Sequence, residues 1–366
     1  MVLPTSTKHY FWPKLGALAN LSSKESQLPP LRSHEVLVKV YAVSLQYRDI
    51  MVGLNIYPGS FPDEVVPCSD MAGEVIAVGD EAGSQWKKGD RKTAHGGAIH
   101  GVLTQYKAFS PHSLVAIPDH LSFEEASTLP CAALTAYNAL MGPVPLKGGD
   151  TIVVLGTGGV SIHGLQIALA SGAKVIVTSS SDEKLQIATN LGAHHVVNYK
   201  TTPNWHEEIL ELTGGRGADH ILEVGGPDSL EKSLKAVRMA GWVHAIGVIG
   251  GGTPTEVMMP TIQKACFIRG IQIGSIAQFK DMNRLLSLHP EVTRPVIDKV
   301  FPFEEALKAY EYLESQAHVG KVAIWWSAEH YHNIKGSSLL GLFSSTWGCR
   351  GSTGKLASAP SSMIHD

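Results

Sequence analysis

Gly156-Thr157-Gly158-Gly159 stands between a β-branched apolar run, Thr151 to Leu155, and a stretch with Val160, Ile162, Leu165, Ile167, Ala168 and Leu169 at helical spacing. The second stretch stops at Gly172, and another apolar run, Lys174 to Thr178, follows. Strand, glycine turn, helix and strand in that order make the first half of a doubly wound sheet. The chemistry such a turn suits is capture of a pyrophosphate. Glycine keeps Cβ atoms out of the phosphate's path, and a helix start offers free N–H groups and a positive dipole end. The spacing departs from the strict G-x-G-x-x-G, with Gly164 further on, so its weight comes from its place inside a βαβ unit. A glycine turn serving another ligand is the alternative.

The end of the second strand bears on which nucleotide is bound. NAD enzymes place an acid there, on the ribose 2′-OH. Here the chain reads Ser179-Ser180-Ser181-Asp182-Glu183-Lys184, with hydroxyls at the strand tip and Lys184 one helical turn on. One charge-assisted contact is worth roughly 1.5–3 kcal/mol, about a ten- to hundredfold preference for a 2′-phosphate. Ser181-Asp182 suits a helix cap with an acidic first turn, and Lys184 alone equally reads as a solvated charge. Glu223-Val-Gly-Gly226 and Ile246-Gly-Val-Ile249 close later strands at the carboxyl edge, where open α/β sheets bind ligands.

These residues need a frame. Strands are expected near 151–155, 174–178, 195–198, 219–224 and 242–248, with helices over Asp182 to Leu191 and Asp228 to Ala240. Phe267 to Ile273 adds a strand, Lys280 to Leu288 and Phe303 to Gln316 read as helices, and Gly320 to Trp325 as a last strand. Residues 1 to about 125 read as mostly β, with Val36 to Val43 and Gly73 to Val78 as strands. Gly79-Asp80, Gly89-Asp90 and Pro118-Asp119 mark turns. Ser122 to Ala139 is helical, opening on a capping box from Ser122 to Glu125. The segment from Ser327 to Asp366 is rich in Ser and Gly without periodicity, so it reads as a poorly ordered tail.

Composition narrows the classes. With 366 residues, 44% hydrophobic and 17% charged, the chain suits a soluble protein of two domains. Lys and Arg total 30 against 33 Asp and Glu, so no basic field invites nucleic acid. No apolar run is long enough for a bilayer, and the N-terminus carries no signal-peptide pattern. Cys68, Cys131, Cys266 and Cys349 are too scattered for a disulfide framework, which fits a reducing, cytoplasmic setting.

GDTIVVLGTGGVSIHGLQIA, VTSSSDEKLQIATNLGAHHVVNY, GGRGADHILEVGG and FPFEEALKAYEYLESQAHVGKVAI resemble the medium-chain dehydrogenase/reductase superfamily, closest to its quinone oxidoreductase and zinc-type alcohol dehydrogenase-like branch. The likeness runs from about Glu35 to Ile324. It implies an α/β fold: a doubly wound Rossmann domain over 129–275, and a GroES-like, mostly-β catalytic domain over 1–128 and 276–326. It also implies a cleft between the domains, a small-molecule substrate, a nicotinamide cofactor and a homodimer.

The resemblance assigns site residues. Ser180, Lys184 and Tyr199 match positions around a 2′-phosphate, which implies NADPH. The turn Gly156, Thr157, Gly158, Gly159 and Val160 would hold the pyrophosphate, and Gly225, Gly247 and Ile249 would line the riboses. Thr135 and Ser275 would meet the nicotinamide.

The zinc enzymes of the family place ligands at positions matching Gln46, Ser69 and Cys131, with Asp70 beside them, and only Cys131 keeps a ligand type. One ligand does not build a catalytic zinc site, and no Cys between Cys68 and Cys131 supports a structural one. His95, His100 and His112 share no metal spacing, and Cys131 reads as a small buried apolar residue, with Cys68, Asp70 and Cys131 as an improvised metal site the alternative. The catalytic candidates are Gln46 and Tyr57 as donors and Arg48 as a charge for phosphate or enolate. Loop packing for Tyr57 and an internal ion pair for Arg48-Asp49 stay open beside these roles.

The expected activity is a metal-free, NADPH-dependent reduction of an enone, enal or quinone. An alcohol or ketone dehydrogenase is the alternative within the class, and a largely noncatalytic NADPH-binding protein the alternative outside it.

Overall fold

The computed structural model describes residues 3–82, 91–94, 99–250, 253 and 256–326. The tail, Cys349, His95 and the Gly89-Asp90 turn lie outside the described residues. The first strands are β1 (Ser6–Phe11) and β2 (Ser22–Gln27), an antiparallel ribbon. Next come β3 (Val36–Ser44), α1 (Tyr47–Gly53), β4 (Asp70–Val78), β5 (Arg91–Ala94), β6 (Tyr106–Phe109) and β7 (Leu114–Ala116). α2 (Phe123–Ser127) opens on the expected capping box: Ser122 N–H donates to Glu125 at 2.8 Å, and Glu125 N–H to Ser122 Oγ at 3.2 Å. A π-helical turn, Leu129–Ala133, leads into α3 (Leu134–Leu140).

The βα rhythm then begins with β8 (Thr151–Leu155), α4 (Gly159–Ala170), β9 (Lys174–Ser179), α5 (Asp182–Asn190), β10 (His195–Asn198) and α6 (Trp205–Leu212). It continues through β11 (Ala218–Glu223), α7 (Pro227–Ala236), β12 (Val237–Ala245), α8 (Met258–Lys264) and β13 (Phe267–Gly270). The chain closes with α9 (Ile276–Leu288), β14 (Ile297–Pro302), α10 (Ala306–Glu314) and β15 (Lys321–Trp325).

β8 is buried along its whole length because the sheet is covered on both faces: Ile152 and Val154 enter one core, Val153 and Leu155 the other. The six strands run β10-β9-β8-β11-β12-β13, all parallel. Strand order therefore reverses between β8 and β11, the switch point at which such sheets bind ligands. A second, seven-stranded sheet runs β14-β15-β3-β4-β5-β7, with β6 on β3. It joins residues from both halves of the chain over a core that includes Val38, Val43, Tyr310 and Ile324. This is the expected α/β architecture with its mostly-β companion. Among the described residues no helix is long and apolar enough to cross a membrane.

The structure departs from expectation in detail. The helix expected to reach Ala240 ends at Ala236, because Val237 already pairs with Ala218 as the start of β12. The register then jumps so that Trp242 faces His220; the irregular stretch of β12 between them carries Ala240 at φ 54° and sends Arg238 Nε to Asp219. β12 stops at Ala245, short of the expected 248. β14 and α1 had no clear sequence pattern. β14 has one strand partner, β15, among the described residues.

Candidate active site

The glycine turn joins β8 to α4. Gly156 sits at φ 74°, where a side chain is strained. A Cβ built at Gly158 meets nothing within 4 Å, so the space over the helix start is open. α4 has no side-chain cap and no acid in its first turn, which leaves its leading N–H groups for a ligand. Val160 is half-buried in that turn. The final strand reaches this place as well. Gly320 N–H donates to Thr157 O at 2.9 Å, and Gly158 and Gly320 pair as a bridge.

Ser180 lies half-buried just past β9. Ser181 caps α5, and Asp182 accepts from Asn198 Nδ2 at 2.7 Å. Lys184 donates to the Gln316 and His318 carbonyls at 2.5 and 3.2 Å, and burial pulls its pKa down. Lys184 is thus not the solvated charge of the simpler reading. Tyr199, 41% exposed, is tied by its backbone to Ser179 O at 3.0 Å.

Sequence reasoning placed Glu223 in a loop motif without its bonding role and missed Asn138 on α3. Glu223 is buried, and its Oε1 accepts from Gly225 N–H at 2.8 Å, Gly226 N–H at 3.1 Å and Ser229 Oγ at 2.5 Å. The 246–250 loop is laced onto this one: Gly247 N–H reaches Glu223 O at 3.3 Å and Gly250 N–H reaches Gly225 O at 2.8 Å, with Ile249 exposed beside them. Asn138, three residues after the buried Thr135, donates to Ile273 O at 2.6 Å and accepts from Arg269 and Gln278 at 2.8 Å each. That grip holds Ile273 at φ 53°, a conformation rare for a β-branched residue. Ser275 caps α9, its hydroxyl accepting from Gln278 N–H at 3.1 Å.

On the catalytic side Asp70, at the start of β4, has no exposed surface. Its carboxylate accepts from Gln46 Nε2 at 2.6 Å, Ser69 Oγ at 2.5 Å and the Cys131 N–H at 3.1 Å. Burial pushes the Asp70 pKa up and Lys321 opposes it. Lys321, 4% exposed, donates to Leu45 O. One Gln46 N–H is therefore spent inward, where the sequence reading took the amide as a donor to substrate. Arg48 pairs with Asp49 at 3.3 Å, the internal ion pair of the simpler reading. Tyr57 is half-buried with its ring 6.3 Å from that of Phe61, and its hydroxyl has no partner among the described residues.

The description "Alcohol dehydrogenase GroES-like domain" matches residues 32–119, and "Zinc-binding dehydrogenase" matches 159–288. A zinc-type alcohol dehydrogenase-like protein of Schizosaccharomyces pombe is 41% identical over 337 residues, covering 85% of this chain and 96% of that protein. The chain belongs to the medium-chain dehydrogenase/reductase superfamily. Another superfamily member, human quinone oxidoreductase, is 30% identical over 78% of this chain and 86% of its own length. A solved structure from Sinorhizobium meliloti 1021, designated an alcohol dehydrogenase, superposes with a TM-score of 0.82 at 36% identity over 89% of this chain and all of that one. As a superfamily member this protein is an oxidoreductase with a dinucleotide-binding fold for a nicotinamide cofactor.

The superfamily's zinc does not suit this donor set. Gln46 and Ser69 offer neutral groups, and both already point at Asp70. Burial, and then Asp70, pushes the Cys131 thiol up to about 12, and its N–H is engaged by Asp70. Among the described residues no three His, Cys, Asp or Glu side chains are grouped to hold a metal. The nucleotide cradle does suit its ligand, with open space at Gly158 and free helix N–H groups. Gly158→Val should abolish dinucleotide binding and leave the fold intact, because its side chain would fill that space. Retained NADPH binding in a fluorescence titration would overturn the assignment.

Proposed function

We propose that this protein is a zinc-independent, NADPH-dependent reductase that delivers hydride to an activated carbonyl compound: an enone, an enal or a quinone. The observation that carries the reading is the inward turn of Gln46, Ser69 and the Cys131 N–H onto Asp70. NADPH supplies the hydride. The protein's task is to hold the acceptor against it and steady charge developing on oxygen. The free hydroxyl of Tyr57 and the remaining N–H of Gln46 are the donors in this reading. Arg48 adds positive field: burial opposes its charge, but Asp49 and Asp70 outweigh that and keep it protonated. Such donors suffice where conjugation spreads the charge, whereas a lone alkoxide wants a metal.

For the nucleotide, Ser180, Lys184 and Tyr199 surround the 2′-phosphate. Asp182, the acid near the strand tip, is engaged by Asn198, and Lys184 keeps one N–H beyond its two carbonyl partners. Thr135, Val160, Gly225, Gly247, Ile249 and Ser275 complete the cofactor's surroundings. Residues 1–128 with 276–326 form the catalytic part of this reading, and 129–275 the nucleotide part.

Chelator-stripped enzyme should reduce small enones and quinones at the full rate. Its kcat/KM should favour NADPH over NADH by roughly ten- to hundredfold, with most of that lost in Lys184→Ala. Equal use of both cofactors, or one zinc per chain lost together with activity, would sink the reading.

Tyr57→Phe tests the other end. It should lower kcat/KM by about tenfold, the scale of one hydrogen bond to developing charge, with NADPH affinity unchanged. An unchanged rate would reduce Tyr57 to loop packing.

We also propose a homodimer. β13 is one edge of the parallel sheet among the described residues, and at it Met258, Ile262 and Phe267 are 68%, 63% and 49% exposed. A second copy covers this apolar edge. Light scattering should give a dimer for the parent and a monomer for Ile262→Glu with Phe267→Glu; a monomeric parent refutes the assignment.

A further inference from the structure

We propose that the turn 315–320, which joins α10 to β15, is a specificity-determining element: it holds Lys184 in place for the 2′-phosphate of NADPH, with Gln316 and Asp298 as its positioning residues. This rests on the NADPH reading above and deepens it by naming what aims the lysine.

A lysine stem is long and flexible, so an ammonium left in solvent loses much freedom when it grips a phosphate. Lys184 has already given up that freedom. It stands on α5 in the nucleotide part and reaches the Gln316 and His318 carbonyls, at 2.5 and 3.2 Å, in the catalytic part. Two carbonyls orient an ammonium without neutralising it, and among the described residues no carboxylate pairs directly with Lys184. The charge and one N–H remain for an anionic ligand. Burial disfavours that charge, and Asp298 favours it.

The turn is built to keep those carbonyls still. Gln316 stands at φ 54°, and its N–H donates to Leu313 O at 3.1 Å. Ser315 Oγ donates to Tyr312 O at 2.7 Å and accepts from Ala317 N–H at 3.3 Å. Asp298, on β14, accepts from Val319 N–H at 3.1 Å and from the Tyr312 hydroxyl at 2.5 Å. Gly320 N–H then donates to Thr157 O in the nucleotide turn. One short turn of the catalytic part thus touches both Lys184 and the pyrophosphate cradle. Preorganisation of this kind raises affinity for the ligand that uses it, here the nucleotide with the extra phosphate. NADH, which lacks that phosphate, gains nothing from the hold on Lys184.

The test is the ratio of the NADH to the NADPH dissociation constant, read by fluorescence titration. Lys184→Ala should bring the parent's roughly ten- to hundredfold ratio to within about threefold of unity. Gln316→Val puts a β-branched side chain where φ is positive, and so moves the carbonyl. It should lower the ratio at least about threefold through NADPH alone, with the NADH constant within about twofold of the parent's. Gln316→Asn, which tolerates that conformation, should keep the ratio within about twofold. Added to Lys184→Ala, Gln316→Val should change the ratio less than about twofold, because the side chain it acts through is gone. Where Gln316→Val does not accumulate, Asp298→Ala against Asp298→Asn carries the same comparison, since only Asp298→Asn keeps an acceptor for the Val319 N–H. An unchanged or raised ratio in Gln316→Val, or equal loss of both nucleotides, would overturn the proposal while leaving Lys184 its role. A preference for NADPH that survives Lys184→Ala would remove that role and the proposal with it.

Discussion

Asp70 is a carboxyl group with no exposed surface. In a protein interior such a group survives only where donors and charge surround it, and several parts of this chain converge to supply them. Gln46 comes from the start of α1, Ser69 from the approach to β4, the Cys131 N–H from a π-helical turn, and Lys321 from the last strand. The π turn matters here because widened turns release backbone groups from the helical ladder. Contacts that begin at this one side chain thereby bind the start of α1 and of β4 to the helical segment leading into the parallel sheet.

The nucleotide side is held by the same kind of device. Loops at the carboxyl edge of a parallel sheet have no ladder to order them, yet a hydride donor must be placed within a fraction of an ångström. Glu223 orders one such loop by accepting two backbone N–H groups and a serine hydroxyl; Asn138 orders another by gripping Ile273. Both side chains are buried and polar, and both hold backbone. The Asn138 network is shared with Arg269 and Gln278, so its loop answers to α3, β13 and α9 together.

The parallel sheet was legible because its strands are buried on both faces and read as unbroken apolar runs from Thr151 to Leu155 and Lys174 to Thr178. Local chemistry was legible too: Ser122 and Ser181 cap the helices that follow them. What stayed hidden is long-range. Nothing near Asp70 in sequence announces Lys321, and an amide such as Gln46 shows no sign of whether it faces a ligand or a carboxylate. Val237 looked helical because its demand for a strand partner, Ala218, lies many residues back. Glu223 read as part of a loop motif, whereas its burial makes it a clamp.

The pairing of Ala323 with Ser44 has a consequence for the order in which the protein can be made. The far edge of β3 is covered over Val36 to Lys39 by β6, soon after synthesis, but Ala42 to Ser44 waits for β15. At about 5–20 residues per second, that wait lasts tens of seconds on the ribosome. The parallel sheet can close well before, since β13 ends at Gly270. Through that interval the nascent chain carries an apolar strand end without its neighbour and a glycine turn without Gly320. A chain stalled before the last strand thus leaves the end of β3 unpaired and lacks a finished cradle.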